Sequence, residues 1–267
     1  MKDPYLIAVD LDGTLLNDEK IITEKTLERL NQAQKMGHKV VIATGRPFRA
    51  SQAYYEILAL DTPVVNFNGA FVHHPLDKDW GVFHTPLPLK MATTIIQTCE
   101  AFHVRNIIIE VADDIYFRYE DEFVIDTFSA GNPAYHTGDL RNLLHDDPTS
   151  IVIYPDDENV EELRDLLETE HTEAVEQRSW GAPWNMIEIV KGGVNKARGL
   201  KRIAESYGIP PERIIAFGDE DNDLEMIQFA GHGVAMENAI DDLKDIASFV
   251  TASNNDDGIA RYLARVL

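Results

Sequence analysis

Two carboxylates set two residues apart, in Asp10-Leu11-Asp12-Gly13-Thr14, follow directly on the apolar run Tyr5-Leu6-Ile7-Ala8-Val9. A short continuous apolar run of this kind reads as a strand buried on both faces of a parallel sheet. Open α/β sheets bind ligands at the carboxyl ends of such strands, so the spacing delivers both acids to a ligand site. Gly13 permits a sharp turn there, which lets the amides after Asp10 face an anion. An Asx-type turn would account for one Asp and the Gly, but not for the second acid. In that position Asp10 can serve as a nucleophile toward a phosphoryl group, forming an aspartyl-phosphate.

Three later segments end or begin elements in the same manner. The strand-like His38-Lys39-Val40-Val41-Ile42-Ala43 runs into Thr44-Gly45-Arg46-Pro47, where Thr44 offers a hydroxyl and Gly45 an unobstructed amide. Both suit phosphate oxygens, and both are equally compatible with a helix start in which Thr44 lies near the N-cap. Lys196 follows Gly192-Gly193-Val194-Asn195 at the head of a helix carrying Leu200, Ile203 and Ala204. The helix dipole disfavours a cation there, which leaves a solvated side chain or a charge-neutralising role. Finally, Gly218-Asp219-Glu220-Asp221-Asn222-Asp223 follows the apolar run Ile214-Ile215-Ala216-Phe217. First-turn acids explain Glu220, Asp221 and Glu225, whereas Asp219 sits at the strand end, where a cation would relieve the crowding of charge. All-oxygen donors point to Mg²⁺, which takes one or two carboxylates together with waters and phosphate oxygens.

Taken in order, these motifs resemble those of the haloacid dehalogenase-like phosphatase superfamily. Asn68-Gly69-Ala70, Ile187-Glu188-Ile189 and Gly233-Val234-Ala235-Met236-Glu237-Asn238-Ala239 are similar to the Cof-type sugar-phosphatase branch. Ala197 stands where that branch often has Gly. The resemblance implies Mg²⁺ held by Asp10, the Asp12 backbone carbonyl, Asp219 and Asp223, the last directly or through water. It implies that Asp10 attacks phosphorus while Asp12 protonates the leaving alcohol and then activates water. Leu11, Thr44, Gly45, Lys196 and Asn222 are implied to hold the phosphoryl oxygens. The expected activity is a phosphatase of small phosphorylated metabolites, sugar phosphates foremost. A phosphohexose mutase and a non-catalytic sugar-phosphate sensor are the alternatives.

Composition narrows the partners. With 24 basic and 46 acidic residues the formal charge is −22, which disfavours nucleic acid and anionic membranes. Attraction for an anionic substrate must therefore be local, from Lys196, Arg46, oriented amides and the metal. The single cysteine, Cys99, excludes an internal disulfide and reads as a packing residue on a helix face. No apolar run is long enough to span a bilayer and no signal-peptide pattern opens the chain, so a cytoplasmic enzyme, a monomer or a homodimer, is expected. His73-His74 and His232 lack a second ligand at metal-binding spacing, and Gly192-Gly193 lacks a dinucleotide or Walker pattern. Trp180 and Trp184 are read first as packing residues and second as a sugar-stacking pair.

Element order gives the organisation. Strands at 5–9, 39–43 and 64–67 alternate with helices at 23–36 and 47–59, as in a βαβαβ unit with right-handed crossovers. A hairpin is expected around 73–83. A helix then runs from Leu87-Pro88 to His103, strands at 107–111 and 115–119 flank Asp113-Asp114, and a strand at 151–154 precedes a helix at 159–167. From Ile187 the βα rhythm returns, with strands at 214–217, 233–235 and 249–251 and helices at 196–207, 224–229, 239–246 and 258–267. The expected fold is α/β, a doubly wound, Rossmann-like parallel sheet core at 1–84 and 186–267. An α+β cap at 85–185, inserted into that core, is expected to set substrate specificity.

Overall fold

The computed structural model describes residues 3–171, 175–180 and 185–267. Two units divide the chain. The first comprises Met1–Arg46, Ser51–Phe83 and Asn195–Leu267, and the second Pro47–Ala50 and His84–Val194.

The first unit is organised on a five-stranded parallel sheet. Its order is Phe249–Val250, His232–Ala235, Ile214–Gly218, Leu6–Val9 and Lys39–Ile42. Leu6–Val9 is the strand from which the chain first moves to one side, to Lys39–Ile42, and beside which it later returns on the other, at Ile214–Gly218. That reversal is the topological switch point of a doubly wound sheet, the place where a crevice opens at the strand ends. The register pairs Val9 with both Ile42 and Phe217, so Asp10 leaves the sheet level with Ala43 and Gly218, one residue ahead of Thr44 and Asp219.

The sheet forms where the sequence is apolar at every position. Leu6, Ala8, Val41, Ala43, Ile214 and Ala216 share one core with Leu200, Ile203 and Ala204 of helix Lys196–Tyr207. Ile7, Val9, Val40 and Ile42, which the pleat turns to the opposite face, are buried as well. Helix Lys196–Tyr207 starts at Asn195, whose side chain accepts from the Arg198 amide, and stops at Gly208 in the left-handed conformation. Its apolar stripe recurs at three- and four-residue spacing, and truncating a buried member such as Ile203 to Ala should cost about 2–5 kcal/mol.

The run at 64–67 joins this sheet only by a single parallel bridge, Ala43 to Val65. Val64–Asn66 otherwise pairs antiparallel with Phe71–His73, and Val82–His84 completes a three-stranded sheet. The hairpin expected around 73–83 is therefore the outer part of that small sheet.

The second unit contains a six-stranded sheet in the order Val175–Trp180, Met186–Lys191, Ser150–Tyr154, Asn106–Val111, Asp114–Phe117 and Tyr135–Thr137. All neighbours are antiparallel except the last pair. Ile107, Ile109, Ile151, Ile153, Ile187 and Ile189 face helices Leu89–Ala101 and Val160–His171. The alternate residues Ile108, Val152, Met186, Ile115 and Phe117 pack with Val124 and Phe128 of helix Glu122–Phe128. Cys99 is buried among the first of these groups, as its helix-face position implied.

One boundary differs from expectation. Met186–Lys191, assigned to the core from its apolar character, pairs with Ser150–Tyr154 and Val175–Trp180 in the second unit. A strand apolar on both faces fits a parallel core and a sheet covered on both sides equally well, so its periodicity could not choose between them. Trp180 is the last residue of its strand, paired with Met186. Trp184 lies outside the described residues.

Candidate active site

Asp10 follows Leu6–Val9, its amide donating to the Phe217 carbonyl at 3.2 Å. The chain then folds back on itself: the Leu11 carbonyl accepts from the Leu16 amide at 2.8 Å, and Leu11 itself is fully buried. Gly13 has φ +75° and its Cα faces Asp219 so closely that a Cβ would lie 2.0 Å from Asp219 Oδ2. No side chain fits there, which explains the glycine of the motif better than turn geometry alone.

Lys196 is fully buried, and its ammonium donates to Asp10 Oδ1 at 2.7 Å and to Asp223 Oδ1 at 2.8 Å. Burial works against this cation, but the two carboxylates outweigh it and hold Lys196 above the ordinary lysine range. Asp219, also buried, accepts from Thr14 Oγ1 at 2.6 Å. Asp223 Oδ2 accepts from the Asp219 and Glu220 amides at 3.0 and 3.3 Å, closing the turn after Ile214–Gly218. Burial, joined by the negative charge of neighbouring acids, pushes Asp10 and Asp219 above the usual carboxylate range.

Asp12 is placed apart from that cluster. Its carboxylate accepts from Arg46 Nε and Nη2, both at 2.6 Å, and from Lys20 Nζ at 2.8 Å. Burial opposes its ionisation, yet Arg46 and Lys20 prevail and hold Asp12 below its ordinary value. Arg46, expected to add positive field for a phosphate, is engaged in this pair instead, with its guanidinium over the Tyr54 ring at 5.6 Å.

Thr44 and Asn222 come together through a residue that was not assigned to the site. The Thr44 carbonyl accepts from the Asn68 amide at 3.1 Å, and Asn222 Nδ2 donates to Asn68 Oδ1 at 3.0 Å. A Cβ on Gly45 would stand 3.2 Å from the Asn68 side-chain amide. Thr44 Oγ1 accepts from the Arg46 amide at 3.1 Å, which leaves its hydroxyl proton free to be directed elsewhere. Asn68 is buried at φ +53°. The signal in sequence was Asn68-Gly69, since Asn tolerates this conformation better than other non-glycine residues. Thr14, the partner of Asp219, was quoted within its motif but given no role.

Asp10, Asp219 and Asp223 each bring a carboxylate oxygen within 4.8 Å of the others. Three buried acids stand against one buried ammonium, and such an excess of negative charge is expensive in a low-dielectric site. An all-oxygen donor set with surplus negative charge fits a hard divalent cation.

Over residues 7–263 the chain matches the haloacid dehalogenase-like hydrolases. It is 53% identical over 260 residues to 5-amino-6-(5-phospho-D-ribitylamino)uracil phosphatase YitU of Bacillus subtilis, covering 97% of this chain and 96% of that one. Pyridoxal phosphate phosphatase YbhA of Escherichia coli is 29% identical over 284 residues, 97% of each chain. A haloacid dehalogenase-like hydrolase from Bacteroides thetaiotaomicron superposes with a TM-score of 0.87 at 26% identity, covering 99% of this chain and 100% of that one.

Proposed function

Because the chain belongs to the haloacid dehalogenase-like hydrolases, we propose that it is a Mg²⁺-dependent phosphatase of small metabolites whose phosphate is esterified to a sugar or sugar-derived chain. The observation that carries this reading is the buried Lys196 ammonium between Asp10 and Asp223, with Asp219 beside them. The relative at 53% identity makes 5-amino-6-(5-phospho-D-ribitylamino)uracil the first substrate to test.

Asp10, Asp219 and Asp223, with the Asp12 carbonyl, would hold the metal. When bound it supplies charge neutralisation that lets a carboxylate approach a phosphate dianion. An Asp10 carboxylate oxygen forms the new bond to phosphorus while the bond to the alcohol oxygen breaks. Lys196 balances charge on the transferring group, and Leu11, Thr44, Gly45 and Asn222 bind its oxygens. Asp12 gives the departing oxygen its proton and later takes one from the water that releases phosphate from Asp10. Held by two cations, Asp12 favours the ionised form, so it must leave Arg46 or Lys20 before it can act as an acid. We assign the choice of leaving group to the second unit, because each residue named for phosphate chemistry lies in the first.

The test is phosphate release from the ribitylaminouracil phosphate, pyridoxal phosphate and a set of hexose phosphates, with Mg²⁺ and with a chelator. Release with Mg²⁺ alone, and none from Asp10→Asn, is expected. Full activity in chelator would remove the metal from the mechanism, and hexose-phosphate isomerisation without phosphate release would make the chain a mutase.

A further inference from the structure

The run Gly233-Val234-Ala235-Met236-Glu237-Asn238-Ala239 supplies none of the residues assigned above. Its second half, together with the next residue, Ile240, nevertheless holds the frame of the site at three points. The Met236 amide donates to the Gly218 carbonyl at 3.0 Å, and the Ile240 amide donates to the Asp219 carbonyl at 2.9 Å. Between them, Asn238 Nδ2 donates to the Gly13 carbonyl at 2.8 Å. Asn238 is itself oriented, since its Oδ1 accepts from the Asn254 amide at 3.0 Å. Asn254 is buried, and its side-chain amide donates to the Leu16 carbonyl at 3.0 Å.

The Gly13 carbonyl and the Thr14 Cα belong to one rigid peptide plane. That plane carries, at one end, the Gly13 Cα pressed against the Asp219 carboxylate. At the other it carries Thr14, whose hydroxyl donates to Asp219 Oδ1 at 2.6 Å. A displacement of this peptide would therefore shift both constraints on Asp219 together. Asn238 grips the carbonyl oxygen of that plane, so a displacement of the peptide would have to stretch or break this bond.

We propose that Asn238 is a positioning residue that fixes the Asp219 carboxylate for divalent-cation binding by clamping the Gly13–Thr14 peptide. The proposal rests on the metal-dependent reading above. Outer contacts that orient a metal-binding carboxylate are typically worth a factor of about 10 to 100 in metal affinity.

Asn238→Asp replaces the donor with a carboxylate oxygen that repels the Gly13 carbonyl, while keeping an acceptor for the Asn254 amide. Asn238→Ala removes the clamp without adding charge, and serves should the first variant fold poorly. Asn255→Ala is the control. Asn255 bonds Asp18 twice, at 3.1 and 2.9 Å, so it ties down the same loop without touching the Gly13–Thr14 peptide. Mg²⁺ binding to each full-length protein is measured by calorimetry, alongside metal-free melting temperature. The expected result is a Kd weakened about 10-fold or more in both Asn238 variants and changed less than about twofold in Asn255→Ala. Wild-type affinity in folded Asn238 variants overturns the proposal, and so does equal weakening in Asn255→Ala, which would reduce the clamp to general loop stability. A wild-type protein that takes up no Mg²⁺ refutes the metal reading itself and the clamp with it.

Discussion

Acids are held differently at two places in the two units. In the second, the half-buried Glu100 is matched by Arg118, whose Nε donates to it at 2.6 Å, and both faces of its sheet are filled by aliphatic and aromatic side chains. In the first, Asp10, Asp219 and Asp223 crowd around a single buried ammonium at the ends of the strands. Matched charge stabilises or is neutral; unmatched buried charge destabilises unless a ligand completes it. The first unit thus keeps a stored electrostatic deficit where its chemistry lies, whereas Glu100 in the second is matched by Arg118.

The comparison breaks most visibly at Lys196. Lys196→Met should lower kcat by about 10²- to 10³-fold, as for loss of one preorganised charge-stabilising group. It should also cost about 3–5 kcal/mol of metal-free stability, because it strands buried carboxylates without their cation. Denaturant unfolding beside steady-state kinetics measures both. A rise in KM with kcat intact would show Lys196 to be a simple binding group.

A smaller effect follows from proton linkage. Asp10 and Asp219 are raised in the folded state, so the native metal-free protein binds more protons than the unfolded chain above the ordinary carboxylate range. Stability from these groups is complete below about pH 4 and falls as pH rises toward neutrality. The metal-free melting temperature should accordingly drop between about pH 5 and pH 8, with Mg²⁺ reversing the drop and releasing protons as it binds. Calorimetry in buffers of different ionisation enthalpy counts those protons. A count of zero would mean that the cluster is already ionised, and the contrast between the units would shrink.

The smallest effect lies in the second unit. Burial pushes the Cys99 thiol up to about 12, so the native protein should resist thiol reagents near pH 8 and react only on unfolding. Cys99→Ala should cost about 1 kcal/mol, a packing loss, and leave phosphate release unchanged. A fast-reacting native thiol would show that this core opens more readily than its packing implies.

How far the sequence could be read also divides along this line. Helix Lys196–Tyr207 begins and ends where its caps and apolar stripe place it, and the parallel strands of the first unit are short apolar runs with few alternatives. In the second unit, Tyr135–Thr137 is exposed along its length, so no hydrophobic pattern marks it. Val175–Trp180 alternates weakly and carries Glu, Gln and Arg, as an edge strand does. Helix Glu122–Phe128 is short enough that only its Asp121 cap announces it. Within the site, the Asp10, Lys196 and Asp223 contacts follow residue types that few other arrangements accommodate. The Arg46 pairing with Asp12 and the place of Asn68 depend on loop paths that motif spacing does not encode.

The placement of Leu6–Val9 between two strands from distant parts of the sequence carries a consequence for the growing chain. One of its two neighbours, Lys39–Ile42, is synthesised soon after it, but the other, Ile214–Gly218, emerges only after the whole continuous stretch of the second unit. Until then the strand offers an unpaired edge, and Asp10, unlike Asp12 beside it, lacks its partner cation Lys196. The second unit, contiguous from His84 to Val194, can complete its core first. The reactive centre then forms only after the second unit, and a truncated translation product ending before Lys196 would lack the ammonium that joins Asp10 to Asp223.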